Sequence, residues 1–117
     1  MGTGLIGGSW GLALKASGFR GVRVGIDHGS VLDRAMARGA IDEGHEDLEA
    51  AVPGTDLIVL ALPVGKILSV IPWLAKAAGP TVLVTDVGSV KSEICRRAGE
   101  SFKSGALFLG GHPLAGK

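Results

Sequence analysis

Apolar positions along the chain follow two rhythms, helical spacing and short unbroken runs, and they alternate. Leu5, Ile6, Trp10, Leu12, Ala13 and Leu14 surround small residues at Gly7, Gly8 and Gly11 and predict a helix from Leu5 to Ser17, stopped by Gly18. A glycine inside a helix costs about 1 kcal/mol against alanine, so these are explained if the helix lies close to a sheet or a cofactor. Trp10 reads as a packing residue. Val22 to Ile26 is a short β-branched strand ending at Asp27. A second helix starts at Ser30 or Asp33, passes Met36 and Arg38, and stops at Gly39. Ala40-Ile41 reads as a very short edge strand. The acidic stretch from Asp42 to Glu49 reads as a solvated loop and a helical turn, with His45 a plain surface histidine.

The second half repeats the alternation with stronger signals. Asp56 to Leu62 is apolar without alternation, the pattern of a parallel strand buried on both faces, and Pro63 ends it. Val64, Ile67, Leu68, Ile71, Leu74, Ala75 and Ala78 then recur at helical spacing up to Gly79-Pro80. Pro72 lacks a backbone donor and is expected to kink that helix or restart it near Ser69. Thr81 to Thr85 is a second buried strand, leading into Asp86-Val87-Gly88-Ser89. A helix follows from about Val90 to Phe102, with Ile94, Ala98 and Phe102 on one face, and Ala106 to Leu109 forms the last strand. Strands alternating with helices define a doubly wound α/β fold with a mostly parallel sheet.

The opening residues say what kind of sheet this is. Gly2, Gly4 and Gly7 fill Gly-x-Gly-x-x-Gly, with Leu5 and Ile6 between the last two, and Asp27 lies twenty positions beyond Gly7. That is the fingerprint of a dinucleotide-binding fold: one glycine for the turn, one for close approach to a pyrophosphate, one for helix packing. The helix start then offers unpaired N–H groups and a positive dipole end to phosphates. In the strand order 3-2-1-4-5-6 of such folds the first strand is central. It would precede this turn, so the expectation is one dinucleotide-binding domain over residues 1–117 lacking its first central strand.

Composition narrows the class only slightly. The chain has 117 residues, 46% of them hydrophobic, and 20 glycines, which suits one domain with many tight turns. Twelve basic and eleven acidic residues nearly cancel, which gives no reason to expect a nucleic acid or an acidic membrane as partner. Cys95 is single, so no internal disulfide forms and a reducing compartment is favoured. No apolar run approaches the roughly 20 residues of a membrane span, and no secretory leader is visible. A cytoplasmic domain is the default.

Several side chains carry candidate chemistry. Asp27 can accept both ribose hydroxyls of an adenosine and would repel a 2′-phosphate, favouring NAD over NADP; otherwise it is an ordinary acidic turn residue. His28 beside it reads as a surface residue near the adenine. Leu62-Pro63-Val64 ends a strand on the ligand-binding edge, which fits a nucleotide contact and a plain strand-to-helix turn equally. Ser89, at a helix start, reads first as a helix cap. Lys91 either assists anion binding or is simply exposed, and Asp86 reads as orienting its turn rather than acting as a base. His112 follows the last strand in a turn stiffened by Pro113, at the carboxyl edge where open α/β folds bind ligands. Histidine's ordinary pKa, about 6.5, suits proton transfer at neutral pH. Cys95 reads as core packing, and no cluster has metal-ligand spacing.

Three stretches taken together resemble the prephenate/arogenate dehydrogenase family: Gly4-Leu5-Ile6-Gly7-Gly8-Ser9, Asp86-Val87-Gly88-Ser89-Val90-Lys91 and Gly110-Gly111-His112-Pro113-Leu114-Ala115-Gly116. Lys117 departs from the pattern, standing where the family more often has a small hydroxyl residue. The resemblance implies NAD-dependent oxidative decarboxylation of prephenate or arogenate. It makes His112 the catalytic histidine, with Ser89 near it and near the nicotinamide, and puts Leu62-Pro63-Val64 beside the nucleotide. It also implies a further helical domain, absent from this chain, that completes the substrate site and makes a homodimer. The rival readings are a non-catalytic dinucleotide-binding fragment and a dehydrogenase of the β-hydroxyacid type.

Overall fold

The structure is a computed structural model, and it describes residues 1–114. The chain divides into two compact units, Met1–Ala51 and Val52–Lys117.

The N-terminal unit begins with α1 (Leu5–Ala16), followed by β1 (Val24–Ile26), α2 (Gly29–Ala37), β2 (Glu43–His45) and the short α3 (Leu48–Ala51). β1 and β2 pair in parallel, Val24 opposite Glu43 and Ile26 opposite His45. The edge strand expected at Ala40-Ile41 therefore forms three residues later, inside the acidic stretch expected to be a solvated loop. The reason is electrostatic. Asp42 accepts the Arg23 backbone N–H at 2.8 Å and the Arg23 Nη2 at 2.8 Å, and its own N–H donates to the Arg23 carbonyl at 2.7 Å. A bidentate pair of this kind aligns the two chains one residue before the ladder starts. Ala40 and Ile41 are then left to fill the core with Leu32 and Ala35. His45 becomes a half-buried strand residue rather than a plain surface one, its Nε2 3.7 Å from Glu43 Oε2.

Gly11 is the only buried residue of α1. A Cβ there would sit 2.0 Å from the Ala40 carbonyl oxygen, so the helix lies directly on the backbone between α2 and β2, a turn rather than the sheet or cofactor expected. Trp10, by contrast, is exposed rather than packed.

The C-terminal unit runs β3 (Leu57–Leu60), α4 (Val64–Ala77), β4 (Leu83–Asp86), α5 (Lys91–Ser101) and β5 (Leu107–Leu109). Its strands pair in parallel in the order β3-β4-β5, with Leu57, Leu83 and Leu107 in one row across the sheet. Ile58, Leu60 and Val84 form the buried core with Ile67, Ile71 and Leu74 of α4 and Ile94 and Ala98 of α5. Leu57, Leu83, Leu107 and Leu109 are exposed, so these strands bury one face and not both. Right-handed crossovers between consecutive parallel strands place both connecting helices on the same side.

α4 runs through Pro72 without the restart expected near Ser69. The proline leaves the Leu68 carbonyl, four residues back, without its helical donor. Arg97 of α5 supplies one, its Nε lying 3.4 Å from Leu68 O. Cys95 is exposed, not core: the buried stripe of α5 is Ile94 and Ala98, and Cys95 falls one residue, or about 100° of helix, off it.

The two sheets share no ladder. Among the described residues no strand pairs with both. Among those residues, no helix is long and apolar enough to cross a membrane.

Gly11→Ala forces a methyl into the Ala40 backbone. It is expected to lower unfolding free energy by about 2 kcal/mol or more, measured as a reduced midpoint in urea, whereas Gly99→Ala, where a Cβ meets nothing within 4 Å, should not.

Candidate functional site

In the N-terminal unit, the ligand-facing candidates gather where β1 ends and α1 begins. Gly2 takes φ +81°, a conformation L side chains rarely adopt, and its N–H donates to Ile26 O at 2.9 Å. The first glycine is thus held against the end of β1 in a turn only glycine makes without strain. Gly4 caps α1 with no side-chain bond, and a Cβ there would meet nothing within 4 Å. Gly8 N–H is the first to find a carbonyl of its own helix, Gly4 O at 2.8 Å. The amides of Leu5, Ile6 and Gly7 precede it, and no acidic side chain stands in the first turn. A helix start with no side-chain cap and a positive dipole end is able to receive an anion.

Asp27 faces that turn. Its Oδ2 accepts the Thr3 N–H at 2.8 Å and the Thr3 hydroxyl at 3.3 Å, while Oδ1 accepts the His28 N–H at 2.8 Å. Burial is the largest single influence on this carboxyl and would raise its pKa. The N–H donors of Thr3 and His28 and the Thr3 hydroxyl together outweigh it and hold the pKa below the ordinary aspartate value. Asp27 is therefore an anion at neutral pH with lone pairs on Oδ1 still to offer. His28 is exposed.

In the C-terminal unit, parallel pairing puts the ends of β3, β4 and β5 on one edge. Leu62 and Val64 there are half-buried, and Pro63 is the N-cap of α4, its carbonyl accepting from Lys66 and Ile67 at 2.9 and 3.0 Å. Asp86 ends β4 with 1% of its surface exposed. Its Oδ2 accepts the Gly88 N–H at 2.8 Å and a short bond from Lys91 Nζ, and its Oδ1 accepts the Gly111 N–H at 3.2 Å. Asp86 thus orients its turn, as its position suggested. Lys91, left open between anion binder and solvated residue, is the counter-ion of this buried carboxylate.

His112 is exposed and leaves the edge directly after Gly110 and Gly111. A Cβ at Gly111 would lie 2.7 Å from Asp86 O, and one at Gly110 would lie 2.7 Å from Cys95 Sγ. The two glycines are what lets this turn lie flat on the end of β4. Ser89 is exposed, and the expected cap does not form: α5 starts after Val90 with no side-chain cap bond. Among the described residues no hydrogen bond joins Ser89 to His112. Ala115, Gly116 and Lys117, the end of the third motif, lie outside the described residues.

These arrangements, a glycine turn opening a helix and chemistry-bearing loops at the carboxyl ends of parallel strands, define a Rossmann-type nucleotide-binding domain. The particular family follows from comparison. The family model described as prephenate dehydrogenase, nucleotide-binding domain, matches residues 10–117, and the chain belongs to that family. It is 36% identical over 118 residues to the prephenate dehydrogenase of Lactococcus lactis, covering 99% of this chain and 33% of that enzyme. Among solved structures, prephenate dehydrogenase from A. aeolicus in complex with hydroxyphenyl propionate and NAD+ superposes with a TM-score of 0.86 at 32% identity, over 99% of this chain and 41% of that one. Synechocystis arogenate dehydrogenase gives 0.84 at 34% identity, over 99% of this chain and 40% of that one. The chain therefore spans about a third of the curated relative and two-fifths of the solved chains.

Sequence reasoning missed Thr3, which fixes Asp27, because it occupies a free position of the glycine fingerprint. The Asp86–Lys91 pairing had a signal: a carboxylate closing an apolar strand, with a lysine five residues on in the next helix.

The depressed Asp27 pKa means its contribution to stability is complete above the unfolded aspartate pKa, about 3.9, and is lost as pH falls through the lower folded value. Asp27→Asn should therefore flatten the acid limb of stability against pH, followed by thermal melts from neutral pH down to about pH 3. An unchanged acid limb would mean that Asp27 is not held by Thr3 and His28 in solution.

Proposed function

We propose that this chain is the nucleotide-binding part of an NAD-dependent dehydrogenase that oxidatively decarboxylates prephenate or arogenate, on the route to tyrosine. The observation that carries the reading is His112. It stands at the carboxyl edge of three parallel strands, in a turn tied to Asp86, within a chain that belongs to the prephenate dehydrogenase family. The residues fit the cofactor. The amides of Leu5, Ile6 and Gly7 receive the pyrophosphate, with open space at Gly4 for close approach. Asp27, already ionised, accepts the ribose hydroxyls and excludes a 2′-phosphate by like charge, which makes NAD the cofactor and NADP a poor one. Leu62, Pro63 and Val64 contribute backbone and apolar contact to the nucleotide. When bound, the nicotinamide supplies the hydride acceptor.

His112 accepts a hydrogen bond from the substrate's ring hydroxyl and takes its proton as the carbinol carbon becomes a carbonyl. Ser89, which makes no bond to His112 here, is assigned by the family resemblance to orient the imidazole and set its tautomer once cofactor and substrate are bound. Loss of carbon dioxide, whose bonding electrons return to the ring, then gives the aromatic product. Reading the ketone or amine of the substrate side chain, and forming a homodimer, fall to the part of the relatives' length that this chain does not span. That partial span also favours a second reading, in which the 117 residues bind a dinucleotide without catalysing anything.

Calorimetric titration separates the cofactor claims. NAD is expected to bind the chain, NADP at least about tenfold more weakly, and Asp27→Ala to remove the preference; equal affinities in the unaltered chain would refute it. Turnover is tested after fusing these residues to the remaining two-thirds of the L. lactis enzyme. NADH should form from prephenate or arogenate, and His112→Asn should lower kcat by about 10²–10⁴-fold with NAD affinity nearly unchanged. A smaller loss would make His112 a binding residue only. NADH formation by the 117 residues alone, which the reading does not expect, would place the whole site within them.

A further inference from the structure

We infer that Asp86 is a positioning residue: one buried carboxylate clamps the turn after β4 and the turn after β5 together, and so sets where His112 stands. The relevance to the reaction rests on His112 being the base, but the clamp is read from geometry alone.

Each Asp86 oxygen holds a different segment. Oδ2 takes the Gly88 N–H at 2.8 Å together with Lys91 Nζ, and Oδ1 takes the Gly111 N–H at 3.2 Å, twenty-five residues away in sequence. The side chain has no solvent exposure, so water does not compete for either oxygen. A buried carboxylate is tolerable only when paired and supplied with donors, and here Lys91 and two backbone amides do both. Gly111 is the residue before His112, so holding the Gly110–Gly111 peptide anchors the chain one residue before His112. The packing enforces the same arrangement. A Cβ at Gly88 would lie 3.0 Å from Asp86 Oδ2 and 2.6 Å from Ile94 Cδ1, and one at Gly111 would lie 2.7 Å from Asp86 O and 3.1 Å from Thr85 Oγ1. Both turns are pressed onto Asp86 at glycines, which is the condition for two amides to reach one carboxylate.

Asparagine is the discriminating substitution. It keeps the size of Asp86 but has one acceptor oxygen, so it cannot serve Gly88 and Gly111 on opposite sides at once. In the 117-residue chain, amide hydrogen exchange should show Gly88 and Gly111 protected. Asp86→Asn should speed exchange at one of them by roughly tenfold or more while Val84 in β4 keeps its protection. If Asp86→Asn loses protection everywhere, Gly111→Ala decides: its methyl lifts the second turn alone, so Gly111 should exchange faster while Gly88 stays protected. A Gly111 amide that is unprotected in the unaltered chain, or equally protected in both variants, overturns the clamp.

The kinetic arm uses the fused enzyme. A displaced base costs rate rather than binding, so Asp86→Asn should lower kcat by about tenfold to a hundredfold with substrate KM changed by no more than about twofold. The pH limb that His112→Asn abolishes should remain, because the imidazole is present but misplaced. If KM rises and kcat holds, Asp86 shapes binding and the positioning role fails. If His112→Asn is itself without effect, the reading of the base fails while the exchange result stands or falls separately.

Discussion

Strands paired in parallel end on the same edge, and in each unit the candidate chemistry depends on that constraint. In the N-terminal unit the glycine turn meets the end of β1 where the Gly2 N–H donates to Ile26 O, so that Asp27 reaches Thr3 across twenty-four residues of sequence. The β3–β4–β5 ladder lines up Leu62-Pro63-Val64, Asp86 to Lys91, and Gly110 to Pro113. No local preference of these loops would assemble them. The backbone ladders do, and the apolar residues of α4 and α5 hold the second ladder in place by burying one face of it.

Two carboxylates then do related work in different settings. Asp27 keeps part of its surface in contact with solvent and spends its hydrogen bonds on Thr3 and His28 while retaining acceptor capacity. Asp86 is sealed, and both of its oxygens are committed to the protein. A partly solvated anion can exchange one partner for another and can greet a ligand. A sealed one with a lysine partner cannot do so without leaving a charge unpaired, and it serves as a fixed post. The difference suits the first to the proposed ligand recognition and the second to architecture.

Much of the fold was legible in the sequence, because it rests on signals that are local and strong. The runs Asp56 to Leu62 and Thr81 to Thr85, which become β3 and β4, the helical spacing from Val64, and the glycine fingerprint each state their structure within a few residues. Where reading failed, a distant partner had decided. The strand at Glu43 to His45 exists because Arg23 captures Asp42, and nothing in an acidic stretch announces that. Helix α4 continues through Pro72, with Arg97 serving the carbonyl that the proline leaves free. Cys95 and Ser89 failed for the opposite reason. Their types suggested core and cap, but Cys95 falls off the buried stripe of α5 and Ser89 lies one residue before the Val90 N-cap, which leaves both in solvent. At the site, the glycines and Asp27 were visible as a pattern and His112 as a motif, but Thr3 and the pair of hydrogen bonds from Gly88 and Gly111 to Asp86 required the structure.

The central claim is that the uncapped start of α1 and the ionised Asp27 together form the dinucleotide seat. Titrating NAD into the isotopically labelled chain, with backbone amides followed by NMR, tests it most directly. The account predicts that the amides of Leu5, Ile6 and Gly7 shift together with those of Thr3 and His28, which now bond to Asp27. Shifts confined to other parts of the chain, or none at NAD concentrations that saturate calorimetric binding, would contradict it.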